Sequence, residues 1–506
     1  MRVEIFRLRA LNFGRSLTRG SVLLYSLFLL MVVVILSSAS FGYWPWALSA
    51  AAVMWLGGVV YCLRSIGRRI VLLLFLFAFA VLLMSRDVIF YTFGAPNPGW
   101  EFAEAWHLHL CLALALLGLL LGAVGWERLN CHRGASSRMS ISPEIAARLE
   151  RVVFVLLLGV WGFAMLSAMS RGVYVVKYGY LSYYVSFSQL EGSFVWGFAG
   201  LIAVLKRIEL LLPLLVAAFL GLFPTRKRAI VAMSLWAVYL CVSLLSGQRG
   251  PFAYGMLTIM VYWVIRRRDD VTGEWVIRGR WRRLLLLIGI AVLLLFAGVE
   301  MLRGVGNSST HGRINVPILG FLYGQGVSAT VIVNAFRFAD VLPDEFFLLE
   351  FARTGLIGRL LGFEVFHGNS VDHALYGGSM THSLSYYVMG RGYLEGRGSG
   401  SSFVAEWFHD FGYVGVVFGG LVFGAICIEI ARLFVGQFIR NTLRLAILPS
   451  ILMAPRASAT AFLTFLLSPG ALFGIFVLFT LSWVVRRRVN ASMAAGNAPA
   501  ALSAID

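Results

Sequence analysis

Apolar runs close to twenty residues long alternate along this chain with short, arginine-rich stretches, a rhythm that predicts a series of membrane-crossing helices. The runs lie at about 21–37, 46–63, 70–85, 106–126, 152–169, 203–223, 229–246, 251–265, 284–302, 403–427, 445–467 and 471–485. That makes twelve spans. Ser37-Ser38-Ala39-Ser40 after the first run resembles a signal-peptide cleavage site, but the run is long for a signal core and many spans follow, so it is read as a retained first helix. Two places interrupt the pattern. Lys206 and Arg207 suggest an interfacial segment leading into the sixth span, and Pro449, Pro455 and Arg456 suggest a re-entrant or broken eleventh helix.

One stretch breaks the rhythm altogether. Residues 303–402 form a long, mostly polar loop with seven arginines, seven acidic residues, four of the chain's eight histidines, and neither lysine nor cysteine. Within it, 321–342 and 344–363 carry apolar residues at helical spacing and predict amphipathic helices lying on or dipping into the membrane. Glycines thicken from Gly377 onward, which suits either a mobile segment that admits a ligand or a simple tether. The connection 171–194 is a second sizeable loop, on the same side.

Composition sets the class. With 59% hydrophobic residues, 13% charged residues and a mean hydropathy of +0.82, the chain is an all-α polytopic membrane protein and no soluble globule. The net charge of +19 raises nucleic acid as a partner, but the basic residues cap apolar runs and form no continuous patch. Placing 64–69, 128–151, 225–228, 266–283 and 486–488 on one side puts about 29 Lys and Arg there against about 11 opposite. This asymmetry predicts both termini in the cytoplasm and the 303–402 loop outside. Five scattered cysteines, Cys62, Cys111, Cys131, Cys241 and Cys427, offer neither a disulfide framework nor metal-ligand spacing. No cofactor is called for, and the only Asp-Asp pair, Asp269-Asp270, sits among cytoplasmic arginines.

Candidate chemistry collects on the outer side. Arg249, in the tight turn Gly247-Gln248-Arg249-Gly250, either binds phosphate through its planar fork or snorkels to lipid headgroups. Glu300 and Arg303 stand i, i+3 at the end of the ninth span, with Arg313 nearby; they either neutralise each other or turn Arg303 toward an anion. His382, in Thr381-His382-Ser383, is placed to act as a base or to be merely solvated. Glu406, His409 and Asp410 open the tenth span, where acids also favour the helix dipole. Arg391 and Arg397 flank glycines as candidate clamps. Tyr183 is one of five tyrosines in 171–194, either a platform for sugar rings or an interfacial aromatic belt.

These residues carry a family resemblance. The turn Gly247-Gln248-Arg249-Gly250, the long outer loop, and Gly400-Ser401-Ser402 running through Ala405-Glu406 to Gly412 and Gly415 resemble the bacterial O-antigen polymerases, the Wzy-type repeat-unit polymerases. The resemblance implies a GT-C-like glycosyltransferase of the bacterial inner membrane. Its donor and acceptor would both be undecaprenyl-diphosphate-linked oligosaccharides, met at the periplasmic face, with a chain-length regulator and a flippase as protein partners. It would work without a metal. Arg249, Arg303 and Arg313 would hold the diphosphate, with Arg391 and Arg397 closing over it. His382 or Glu406, ahead of His409 and Asp410, would take the acceptor's proton. An O-antigen ligase shares the donor and the large loop, and a flippase shares the twelve-span plan, although no repeat of one half of the chain in the other supports a carrier.

Overall fold

The computed structural model describes residues 26–95, 98–130, 141–178, 204–205, 207–246, 250–267 and 317–494. Among these residues every regular element is a helix, and eight helices are long and apolar enough to cross a membrane. Seven coincide with expected runs: Pro45–Leu63, Ile66–Phe93, Phe102–Leu129, Pro143–Tyr178, Arg226–Ser246, Phe403–Ile430 and Pro469–Val489. The eighth, Ile318–Arg337, falls in the stretch the sequence assigns to the outer loop. Three expected runs give shorter helices, at Ser26–Phe41, Leu211–Gly221 and Gly250–Arg266. The run at 284–302 lies outside the described residues.

The centre of the bundle is the crossing of Phe102–Leu129 with Phe403–Ile430. Each helix presents a pair of glycines four residues apart, Gly118 and Gly122 on one and Gly420 and Gly424 on the other. A Cβ on Gly118 or Gly122 would overlap the carbonyl oxygen of Val417 or Leu421, and on Gly420 or Gly424 that of Ala115 or Leu119. The two backbones therefore touch, and small residues are what a lipid-embedded pair needs to gain dispersion contact at such range. At this crossing Phe403 and Phe423 pack at 4.7 Å, with Phe75 of the 66–93 helix at 5.9 Å from Phe403 and 5.7 Å from Phe423.

Local departures from helix geometry decide where loop and bundle meet. The 66–93 helix carries a π-turn at Ala80–Met84, and just beyond it the Ser85 hydroxyl donates to Val81 O (2.7 Å) and Leu322 O (2.8 Å). Gly326 lies against Ser85 and Arg86, where a side chain would collide with backbone. Farther along, Arg337 grips Glu104 with two bonds of 2.6 and 2.8 Å, while Glu104 also closes the capping box that starts the 102–129 helix. The segment 317–337 is therefore packed into the bundle, with Val331, Ile332, Val333 and Asn334 buried, where the sequence places an amphipathic helix lying on or dipping into the membrane. Its anchors, Ser85, Arg86 and Glu104, are more than two hundred residues away in the chain, so local periodicity cannot reveal them.

The eleventh expected span is broken. Phe438–Met453, with Pro449 inside it, tightens to a 3-10 turn at Ala454–Arg456; Ala457 is extended, and the chain turns through Ser458 and Thr460 before the short helix Ala461–Leu466. Pro455 opens the 3-10 turn, where its missing N–H costs nothing. The Pro143–Tyr178 helix, in turn, runs through Arg171, which the sequence places in a loop. Its guanidinium is buried and pairs with Glu209, which also takes the Ser167 hydroxyl (2.6 Å) and that of Tyr239.

Candidate functional site

The site is built where the start of the 403–430 helix meets the break at 454–460. Gly400, with φ +78°, turns the chain into Ser401 and Ser402. Ser402 is the N-cap, its hydroxyl accepting from the Val404 amide at 3.4 Å. Ser401 points inward and donates to Glu406 Oε1 at 2.6 Å. Glu406, fully buried one turn into the helix, accepts the Ala459 amide (2.8 Å) and the Ser458 hydroxyl (3.2 Å) at Oε2. Both of its oxygens are thus committed to protein donors. The effect is to pin the broken helix to the mouth of its neighbour.

From the loop side a second carboxyl arrives. Asp410 Oδ1 and Oδ2 accept the amides of Phe347 (3.2 Å) and Leu348 (2.9 Å), satisfying the first donors of the 3-10 turn Phe347–Leu349. His409 completes the clasp, its Nδ1 3.0 Å from Asp410 Oδ1 and its ring 4.6 Å from that of Phe347. The next residue is Glu350, which this clasp delivers beside Glu406 and Ser458. Burial pushes the Glu350 carboxyl above its ordinary range.

Two further groups stand on the helix break and on the helix that follows Ser379. Arg456, half-buried in the break, donates from Nη1 to Gln325 Oε1 at 3.1 Å, and no carboxylate lies within ion-pair distance of it among the described residues. The helix Met380–Met389 begins next to Ser379 and carries His382 in its first turn. The His382 ring stacks on His373 at 3.6 Å, and its Nδ1 lies 2.9 Å from Tyr393 Oη. Tyr393 spends its proton on Ser370 O (3.2 Å), so Nδ1 of His382 bears the hydrogen in this network and Nε2 keeps a lone pair. Burial, reinforced by His373, pushes His382 down to about 3, which leaves the ring neutral at physiological pH.

A comparison of the whole chain with family models then decides the class: residues 21–488 match the O-antigen polysaccharide polymerase Wzy. The chain belongs to this family. No curated protein and no solved structure matches it. It is a multi-pass membrane protein of the Wzy polymerases, which are glycosyltransferase-type polymerases acting on lipid-linked oligosaccharide.

Within this Wzy chain the candidates drawn from sequence divide three ways. Glu406, His409 and Asp410 share the start of the 403–430 helix, where Glu406 and Asp410 each tie a separate segment to it, whereas His382 stands on the Met380–Met389 helix against His373 and Tyr393. Arg391 and Arg397 sit apart in exposed turns; Arg391 pairs with Glu395 at 3.2 Å, and the Arg397 carbonyl accepts from Asn369 at 3.1 Å. Arg249, Glu300, Arg303, Arg313 and Tyr183 lie outside the described residues. Sequence reasoning missed Glu350, Ser458 and the ligand-facing promise of Arg456. For Arg456 a signal existed in the prolines that break its helix, whereas Glu350, in Leu348-Leu349-Glu350-Phe351, looks like any charged residue on an amphipathic helix. No cluster of three or more His, Cys, Asp or Glu able to hold a metal occurs among the described residues.

Proposed function

We propose that this Wzy protein is a GT-C-like, metal-independent polymerase that moves a growing glycan from undecaprenyl diphosphate onto an undecaprenyl-diphosphate-linked repeat unit at the periplasmic face of the inner membrane, with both termini cytoplasmic. The family match across 21–488 is the observation that carries this reading. Chemistry at the cluster supports it. Transfer breaks a sugar–phosphate bond, so charge builds on a diphosphate, and a guanidinium held at a fixed place stabilises that charge without having to reorganise. Arg456 is such a group at the helix break, and Arg249, Arg303 and Arg313 are proposed to join it, with Arg391 and Arg397 reaching in when substrate is bound. Nε2 of His382 is an acceptor suited to holding a sugar hydroxyl. Glu406 sets the geometry of the break, His409 and Asp410 hold the loop against it, and Tyr183 is proposed as a stacking surface for the glycan. A chain-length regulator and a flippase are the protein partners this role entails.

The test is reconstitution. Purified protein given only the lipid-linked repeat unit should produce a ladder of lengthening glycans, and a deletion strain should carry lipid A capped by single repeats. No elongation in vitro, with lipid-linked polymer accumulating in the deletion strain, would favour a ligase; translocation of the glycolipid without elongation would favour a flippase.

A further inference from the structure

Two arginines from distant parts of the chain close on one short stretch of the loop. Arg86, in the Ile66–Phe93 span, donates from Nη1 to Thr330 Oγ1 at 3.2 Å, and its guanidinium carbon stands 4.9 Å over the Tyr323 ring. Arg456, in the helix break, donates from Nη1 to Gln325 Oε1 at 3.1 Å. Between Gln325 and Thr330 lies the 3-10 turn Gly326–Ser328, and the π-turn Ala80–Met84 packs against both this turn and Ala454–Arg456. The backbone there is closely fitted: a Cβ on Gly326 would stand 2.6 Å from the Arg86 amide nitrogen and 2.8 Å from Ser85 Oγ.

Neither charge nor hydrogen bonding is balanced at this turn. The partners that hold the two guanidiniums are neutral, and no carboxylate lies within ion-pair distance of either among the described residues. Asp87, next to Arg86 in the chain, is turned to His109, its Oδ2 3.3 Å from Nε2. Donors are left over as well. Nε of Arg86 is buried without a hydrogen-bond partner among the described residues, and so is the hydroxyl of Ser328, a residue 1% exposed. Two like charges drawn to one short stretch repel, and each has exchanged water for neutral groups. An anion between them offsets both costs, and buried donors without acceptors beside a charge inside a span are what such a site leaves when empty.

We propose that Arg86 is a further substrate-binding residue, which together with Arg456 grips the diphosphate of the lipid-linked donor across the Gly326–Ser328 turn, one guanidinium to each phosphoryl group. The ligand rests on the polymerase reading. A guanidinium offers parallel N–H donors that match two phosphate oxygens. Held in advance by Thr330 and Tyr323, Arg86 meets the charge that builds on the leaving diphosphate without reorganising.

The test titrates full-length protein in nanodiscs with undecaprenyl diphosphate and with undecaprenyl monophosphate, and reads the melting temperature on the same samples. Wild-type protein should bind the diphosphate at least about tenfold more tightly, the worth of one added set of charge-assisted hydrogen bonds. Arg86→Gln should lose that preference, and Arg86→Lys, which keeps the charge but not the fork, should lose a part of it. A role confined to holding Thr330 moves the melting temperature and not the ratio of two affinities, so Arg86→Gln with the wild-type ratio would overturn the proposal. Should that variant not fold, Arg86→Lys with the wild-type ratio would overturn it equally, as would wild-type protein that does not distinguish the two lipids. In the elongation assay Arg86→Gln should raise KM more than it lowers kcat. The titrations need no elongation, so a missing ladder from wild-type protein would sink the polymerase reading separately.

Discussion

His382 shows how burial sets the behaviour of a single residue. Its ring is stacked on His373 and linked through Tyr393 to the Ser370 carbonyl, so protonating it would place charge where little solvent can answer. With the folded value at about 3 and an unfolded value near 6.5, the ring is neutral in both states at high pH and contributes nothing there. As the pH falls below about 6.5 the unfolded chain binds a proton that the folded chain refuses, so stability declines down to about pH 3. His373, lowered by burial as well, adds in the same direction. The melting temperature should therefore drop between pH 7 and 5, and His382→Gln should flatten that drop; an unchanged slope would mean that the ring is solvated in the folded protein. Nothing in Thr381-His382-Ser383 announces this environment, because both the stacking partner and the Tyr393 hydroxyl come from neighbouring turns of the loop.

At the scale of elements, backbone contact between the 102–129 and 403–430 helices leaves no room for a side chain at four glycines. Gly122→Val should abolish assembly of stable protein, since even the first carbon would overlap the Leu421 carbonyl and the helices would have to separate along their whole interface. Gly125→Ala, on the same helix with nothing within 4 Å of its Cβ, should be near neutral. Yield and melting temperature in detergent measure both, and equal behaviour of the two variants would contradict the crossing. Gly412 acts differently: at φ +62° it breaks the 403–430 helix, so the glycine seen in the sequence motif is a hinge in the backbone rather than a point of close packing. The glycines of the loop follow that pattern, with Gly378, Gly390, Gly396 and Gly400 all at positive φ between short helices. Helix positions were largely legible because a lipid-facing helix must be apolar along its whole length. The helix in 317–337 was legible too, but not its place in the bundle, because its polar groups are satisfied by residues far away in the chain.

For the whole molecule, the break at 454–460 joins pieces from four parts of the chain. Arg456 holds Gln325, its backbone oxygen lies against Gly400, and the residues after it are gripped by Glu406 and neighbour Glu350. Arg456→Lys should leave the protein folded, because no carboxylate among the described residues depends on the guanidinium, yet shorten or abolish the polymer, since an ammonium lacks the planar fork for a diphosphate. A normal ladder from Arg456→Lys would show that point charge suffices. The sequence by itself determined that the chain is helical and membrane-embedded, and that its motifs are those of the Wzy polymerases. It did so because hydrophobic length, the placement of arginines and a glycine-serine turn are all written locally. Only the tertiary structure decided that Glu406 is gripped by Ser458 and Ala459, and that Arg337 draws part of the loop into the bundle. Each of those contacts joins segments far apart in the chain, and a buried charge is placed by the partners that compensate it, which no single stretch contains.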